Sequence, residues 1–393
     1  MVIRKCTKAK LSWGCNMEEL QKILGERIRS LRKKLGITQL AFAEQVGFSA
    51  HQIVSEIERG GRDVKAWELV RIADALHTEV RYLIAGSEPA PAHVLWRDYP
   101  EEGATEMEAQ FLKRCRQYHE LESLLGIKPK RDLPVVELKP ETASYGDARL
   151  VARDVANTLD LGGRPAASLV AILEGDYSVK IWYEDLERAG SAASAVGEFG
   201  YGILMHREQA PWRRNFSFAH ELFHLVTRTT ISKESVGDNQ SLTDKVERLA
   251  DEFAANLLLP ADVLEVEIEA RVKDEKISYG DLVELARDFD VSTEALLWRM
   301  VHCRRLTADQ VKAVLSDPSF RSTDRSTMPA NWRQPAPLPE RFVRLAFLAY
   351  KRAKLSRARL AQLLETSLLD LSATLLEYGF EDTDVYQIET AVT

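Results

Sequence analysis

Apolar residues recur at three-to-four spacing through most of this chain, so helices dominate the elements it predicts. Ile28, Leu31 and Leu35 mark a first helix that Gly36 stops. Thr38 is a good cap for a second, Gln39 to Val46, closed by Gly47. Ser49 then opens a third, through Ile53, Val54 and Ile57 to Arg59-Gly60, and a fourth from Ala66 to Leu76 buries Leu69, Ile72, Ala73 and Leu76. Between Glu101 and Leu125, Met107, Phe111, Cys115, Tyr118, Leu121 and Leu125 share one helical face. Past Tyr145 the text changes: a helix over Ala148–Leu159, β-like stretches at Ser178–Tyr183 and Tyr201–Met205, then helices again. That is an α+β pattern with a small sheet. From Leu338 onward the pattern is helical once more, with Phe342, Leu345, Ala346, Leu348 and Ala349 on one face.

Two Pro-rich stretches, Gly86 to Pro91 and Pro318 to Pro339, read as linkers or exposed loops. The resulting division is an N-terminal extension over 1–25, with Met17 an alternative start, and an all-α helix-turn-helix over 26–86. A linker and connecting helix follow over 87–144, an α+β domain over 145–325 and a helical C-terminal module over 326–393. The fold class is multidomain and mostly α.

Composition narrows the class without naming it. At 45% hydrophobic and 29% charged residues, the chain is neither collagen-like nor disordered. No apolar run approaches the roughly 18 residues that span a bilayer. The basic start is followed by no apolar signal segment, so a cytoplasmic protein with no membrane partner is expected. Cys6, Cys15, Cys115 and Cys303 form no CxxC pair and predict neither a disulfide framework nor a cysteine zinc site.

The net charge of −7 taken alone argues against nucleic acid, but it hides a split. Residues 1–85 carry 15 Lys+Arg against 10 Asp+Glu, which leaves −12 for the rest. Only the basic module is attracted to phosphates. Its two short helices around a Gly turn have the shape of a helix-turn-helix that enters the major groove of double-stranded DNA. Ile37-Thr38-Gln39, Ala41, Ala43, Val46-Gly47 and Val54-Ser55-Glu56-Ile57-Glu58-Arg59-Gly60 resemble the XRE/Cro-repressor family. That resemblance implies that Gln39 touches the DNA backbone and that Ala50, His51, Gln52 and Ser55 face base edges. Gly47 to Gly60 is one residue longer than the usual spacing in that family. The competing reading is a helical bundle that binds a protein partner or pairs as a homodimer.

The most informative string is Phe216-Ser217-Phe218-Ala219-His220-Glu221-Leu222-Phe223-His224-Leu225. Two histidines four apart lie one above the other on a helix, so both imidazoles can reach one metal, with Glu221 beside the open position. A catalytic zinc needs a third protein ligand. Glu247-Arg248-Leu249-Ala250-Asp251 supplies it: Glu247 as ligand, and Asp251, one turn on, as acceptor of the spare ring N–H of a ligand histidine. Zinc, or another divalent transition metal, is the expected cofactor.

His220-Glu221-Leu222-Phe223-His224, followed by Glu247 to Pro260, resembles the ImmA/IrrE family of zincin-like metallopeptidases, and the similarity runs from Tyr145 to about Leu306. It implies a zinc endopeptidase that cleaves a repressor protein in transcriptional or stress control, with Glu221 taking a proton from water and returning it to the leaving amine. Many relatives carry Gly where Phe223 stands. Tyr201, His206, Arg213 and Arg214 are all candidates to stabilise the oxyanion. The rival function is an XRE-type transcription factor or antitoxin whose peptidase-like domain senses metal or a partner and cuts nothing. In the C-terminal module Arg341, Arg344, Lys351, Arg352, Lys354, Arg357 and Arg359 suggest a basic surface, for a second nucleic-acid contact or simply solvated.

Overall fold

The computed structural model describes residues 17–85, 92–97, 104–186, 191–231, 239–328, 332 and 334–382. Cys6, Cys15 and the Pro-rich segment Gly86 to Pro91 lie outside them. Contacts divide the chain into one unit of residues 1–90 and 103–113 and another of 91–102 and 114–393.

Among its described residues before position 86 the first unit forms five helices: α1 (Met17–Lys34), α2 (Gln39–Val46), α3 (His51–Glu58), α4 (Ala66–Ala75) and α5 (Val80–Ala85). Ile28, Phe42, Val46, Val54, Ile57, Ile72 and Leu76 form its core. Thr38 caps α2 by accepting from the Ala41 N–H, and Gly47 ends it in the left-handed conformation. The capping residue of α3 is Ala50, with no side-chain bond, where Ser49 was expected. The first helix also starts nine residues before Glu26, at Met17. A Cβ at Gly25 on this helix would collide with the Ile57 carbonyl, so the glycine lets α3 end against α1.

The second unit is built on a mixed sheet of β1 (His93–Trp96), β2 (Lys180–Glu184), β3 (Ala192–Gly197) and β4 (Gly200–His206), in the order β1-β3-β4-β2. β2 runs parallel to β4, with Ile181 opposite Ile203, while β3 is antiparallel to both β4 and β1. The expected β-like stretches are β2 and β4. β1 and β3 were not expected: β3 reads Ala-Ala-Ser-Ala-Val-Gly, with no aromatic residue and Val196 its one β-branched residue.

Helix α6 (Ala104–Leu125) is followed by α7 (Tyr145–Leu159), opened by a Ser144–Asp147 capping box, and α8 (Pro165–Gly175). Then come α9 (Pro211–Val226), with Pro211 in its first turn, and α10 (Gln240–Leu258), capped by Asn239. α9 packs against β3, β4 and α10, and α10 against α7. From Ser217 to Val226 every residue of α9 is buried, which marks it as the central helix of this core.

The rest is helical: α11 (Ala261–Arg271), α12 (Tyr279–Asp288), α13 (Thr293–His302), α14 (Ala308–Ser316), α15 (Pro318–Ser326), α16 (Glu340–Lys351), α17 (Arg357–Leu363) and α18 (Leu371–Glu377). Pro318, expected to begin a loop, instead starts α15, because proline lacks only an N–H that the first turn does not use. Arg341, expected on a basic surface, is buried. Its guanidinium donates to Glu122 Oε1 at 2.7 Å, and Lys180 Nζ lies 2.9 Å from Glu122 Oε2. Phe342 on the same helix packs against Tyr118 and Trp182.

Candidate metal centre

Helical spacing places His220 and His224 on one face of α9, and α10 crosses it with Glu247 and Asp251 on the facing side. The result is a compact cluster. His220 Nε2 lies 3.2 Å from His224 Nε2 and 3.1 Å from Glu247 Oε2, and His224 Nε2 lies 3.6 Å from Glu247 Oε1. Ligand atoms of all three residues lie within 4.8 Å of one another. Ligands about 2.1 Å from a tetrahedral ion stand about 3.4 Å apart. The two imidazole nitrogens and the carboxylate therefore have both the chemistry and the separations of a His-His-Glu zinc set. His224 Nδ1 is buried without a partner.

Asp251 orients the His220 imidazole. His220 Nδ1 donates to Asp251 Oδ1 at 2.9 Å, which leaves Nε2 facing His224 and Glu247. Burial opposes charge on His220, but the bonds to Asp251 and Glu247 more than offset it and raise its pKa to about 9. His224, fully enclosed and beside His220, is pushed down to about 4.

Glu221 is 0% exposed, and neither carboxylate oxygen has a hydrogen-bond partner. Burial drives its pKa up to about 7, against the pull of His220 and of the nearby Ser194 hydroxyl, which does not reach hydrogen-bonding geometry. An acid poised near neutrality suits a general base.

A cleft of about 790 Å³ opens on the cluster, lined by His220, Glu247 and Asp251 together with Arg97, Trp212, Arg213, Phe216 and Trp298. Of the four candidate oxyanion groups only Arg213 lines it. Arg214 is buried and donates to the carbonyls of Arg207 and Gln209, fastening the turn before α9. Tyr201 lies under the Arg228 guanidinium, and His206 Nδ1 accepts from the Glu208 N–H. Phe223 is fully buried against Phe253, 5.5 Å between ring centroids, where a small residue would leave a void. Arg97 was not expected at this site. It follows a four-residue strand in a segment read as linker, and no local signal marks it.

In the first unit Ala50, His51 and Gln52 stand at the start of α3 and Ser55 in its middle, with His51 and Gln52 exposed. Gln39 lies at the start of α2, where its amide donates to Glu58 Oε2 at 2.8 Å. Glu58 is itself buried in an ion pair with Arg32 at 2.6 Å.

Residues 175–301 match the family described as IrrE N-terminal-like domain, and residues 28–83 match the family described as Helix-turn-helix. The first match contains His220, Glu221, His224, Glu247 and Asp251, so the cluster sits in a metallopeptidase-like domain. The chain thus joins an XRE-type helix-turn-helix to an IrrE-like domain. No curated protein sequence matches it. A Mycobacterium tuberculosis transcriptional regulator of known structure is 17% identical, with a TM-score of 0.31 over 47% of this chain and 51% of that one. The chain therefore spans about half the length of that protein. ComR from Streptococcus suis is 13% identical, with a TM-score of 0.16 over 91% of each chain. Among the described residues no helix is long and apolar enough to cross a membrane.

Proposed function

We propose that this protein is a DNA-binding transcriptional regulator with a zinc-dependent endopeptidase domain whose substrate is a repressor protein. The observation that carries the reading is Glu221, buried with both carboxylate oxygens unpartnered, one residue from a converging His-His-Glu donor set. Burying such a carboxylate without a partner costs several kcal/mol, and a group held at that cost beside a donor set is a candidate functional acid or base.

His220, His224 and Glu247 would hold the ion. When bound, zinc supplies a water of lowered pKa and polarises the scissile carbonyl. Glu221 accepts the proton of the attacking water on a carboxylate oxygen and passes it to the leaving amine nitrogen. Asp251 keeps the His220 ring in its ligating orientation. Arg213, on the cleft wall, would stabilise charge on the carbonyl oxygen. In the other unit, Gln39 serves the DNA backbone while Ala50, His51, Gln52 and Ser55 face the bases.

One observation favours the second reading, a metal or partner sensor without proteolysis: Glu221 is not among the residues that line the cleft. Glu221→Gln separates the two. The peptidase reading predicts that the variant still binds zinc but no longer fragments the repressor encoded nearest its gene, read by mass spectrometry, and that regulation is lost with it. Unchanged regulation in that variant supports the sensor.

A further inference from the structure

The sheet ends in a strand supplied from outside both family-matched regions. β1, residues 93–96, pairs antiparallel with β3, Val94 opposite Ala195 and Leu95 opposite Ser194. One residue on, the Arg97 N–H donates to the Ala192 carbonyl at 3.1 Å. Hydrogen-bonded and non-bonded pairs alternate along an antiparallel ladder, so Leu95 also occupies a hydrogen-bonded position, opposite Ser194.

Where β1 stops, the Arg97 side chain enters the metal cleft. Its guanidinium donates to Ser217 Oγ at 3.0 Å and to Asp251 Oδ1 at 3.3 Å, and lies over the Phe216 ring, 5.3 Å from its centroid. Asp251 Oδ1 is the same atom that accepts from His220. One short segment therefore caps the strand that packs on α9 and sets a cation on the carboxylate next to the metal ligands.

Those are the contacts an incoming peptide makes when it joins a sheet: main-chain bonds to an open edge, with side chains taken up by pockets. We propose that the β3 edge is a peptide-docking edge, that segment 93–97 is its internal occupant, and that the peptide which displaces it is an extended strand with arginine or lysine where Arg97 now sits. What the docked peptide is for rests on the peptidase reading; the docking itself does not. An edge left open is a template for unwanted pairing, which an internal strand prevents. The tether also makes the occupant a strong competitor, since a short linker holds it at an effective concentration in the millimolar range.

The probe is a fluorescein-labelled synthetic peptide with the sequence of residues 91–99, titrated into the full chain by fluorescence anisotropy. Glu221→Gln is present throughout, so that cleavage does not intrude. Leu95→Pro removes the N–H at a ladder position and should release the strand. The peptide is expected to bind this chain at least tenfold more tightly than the chain with Leu95 intact. Alanine at the arginine of the peptide should cancel most of that gain. Hydrogen exchange of the 192–196 amides should quicken in Leu95→Pro and slow again when peptide is added. Arg97→Ala, which keeps the ladder and tests the cleft contact if the proline variant misfolds, should bind the peptide several-fold more tightly than the parent. Equal affinity across these chains, or binding by none of them, overturns the proposal. Docking in these chains together with a repressor left intact by the zinc-loaded chain that retains Glu221 would sink the peptidase reading alone.

Discussion

Asp251 Oδ1 stands 2.9 Å from His220 Nδ1 across two helices and so decides which ring nitrogen is left toward His224 and Glu247. A carboxylate accepts only, so Nδ1 carries the proton and Nε2 is left to ligate. Outer partners of this kind are worth about 10–100-fold in metal affinity. Asp251→Ala should weaken zinc binding by that factor in a chelator competition, while Glu252→Ala, its neighbour on α10, should change it little.

Zinc should also stabilise the fold. The site apposes two imidazoles beside a buried, unpartnered carboxylate, all relieved by a cation. At about a thousandfold excess over Kd, binding adds about 4 kcal/mol. The melting temperature should therefore rise by several degrees with zinc and fall back with a chelator. A His224→Ala chain should show no response.

The ion cluster of Glu122, Lys180 and Arg341 makes stability depend on pH. Burial opposes ionisation of Glu122, but His119, Lys180 and Arg341 outweigh it and lower its pKa from 4.5 to about 2. A carboxyl depressed in the fold contributes stability above its unfolded pKa and loses it as pH falls toward the folded one. The expected contribution is about 3 kcal/mol at pH 7. Glu122→Gln should cost about that much in urea denaturation at pH 7, and the gap from wild type should narrow from pH 5 toward pH 3.

For the helix-turn-helix unit, DNA affinity should fall steeply with salt, by about 0.9 in log K per log salt for each phosphate neutralised. Gln52→Ala should cost about 1–3 kcal/mol on the cognate operator. It should leave non-specific binding and its salt slope nearly unchanged. Mobility shifts across a salt series on specific and random DNA check both.

Spacing along the chain was sufficient for everything that one helix turn can express. Thr38 and Gly47 bound α2 as expected, since capping is a contact between neighbours in sequence. His220, Glu221 and His224 share a helix, so their directions follow from 3.6 residues per turn. Which acid on α10 meets them was only arguable from sequence, because it depends on how α10 crosses α9. Packing decided it, bringing Glu247 to 3.1 Å from His220 and Asp251 to the other ring nitrogen. Packing also turned Arg341 inward, since Glu122 waits for it 219 residues earlier in the chain. The strand at 93–96 and Arg97 beyond it were invisible for the same reason. Four residues carry too little period to declare a strand, and their partners on β3 lie about a hundred positions away, where only the folded chain brings edge and occupant together.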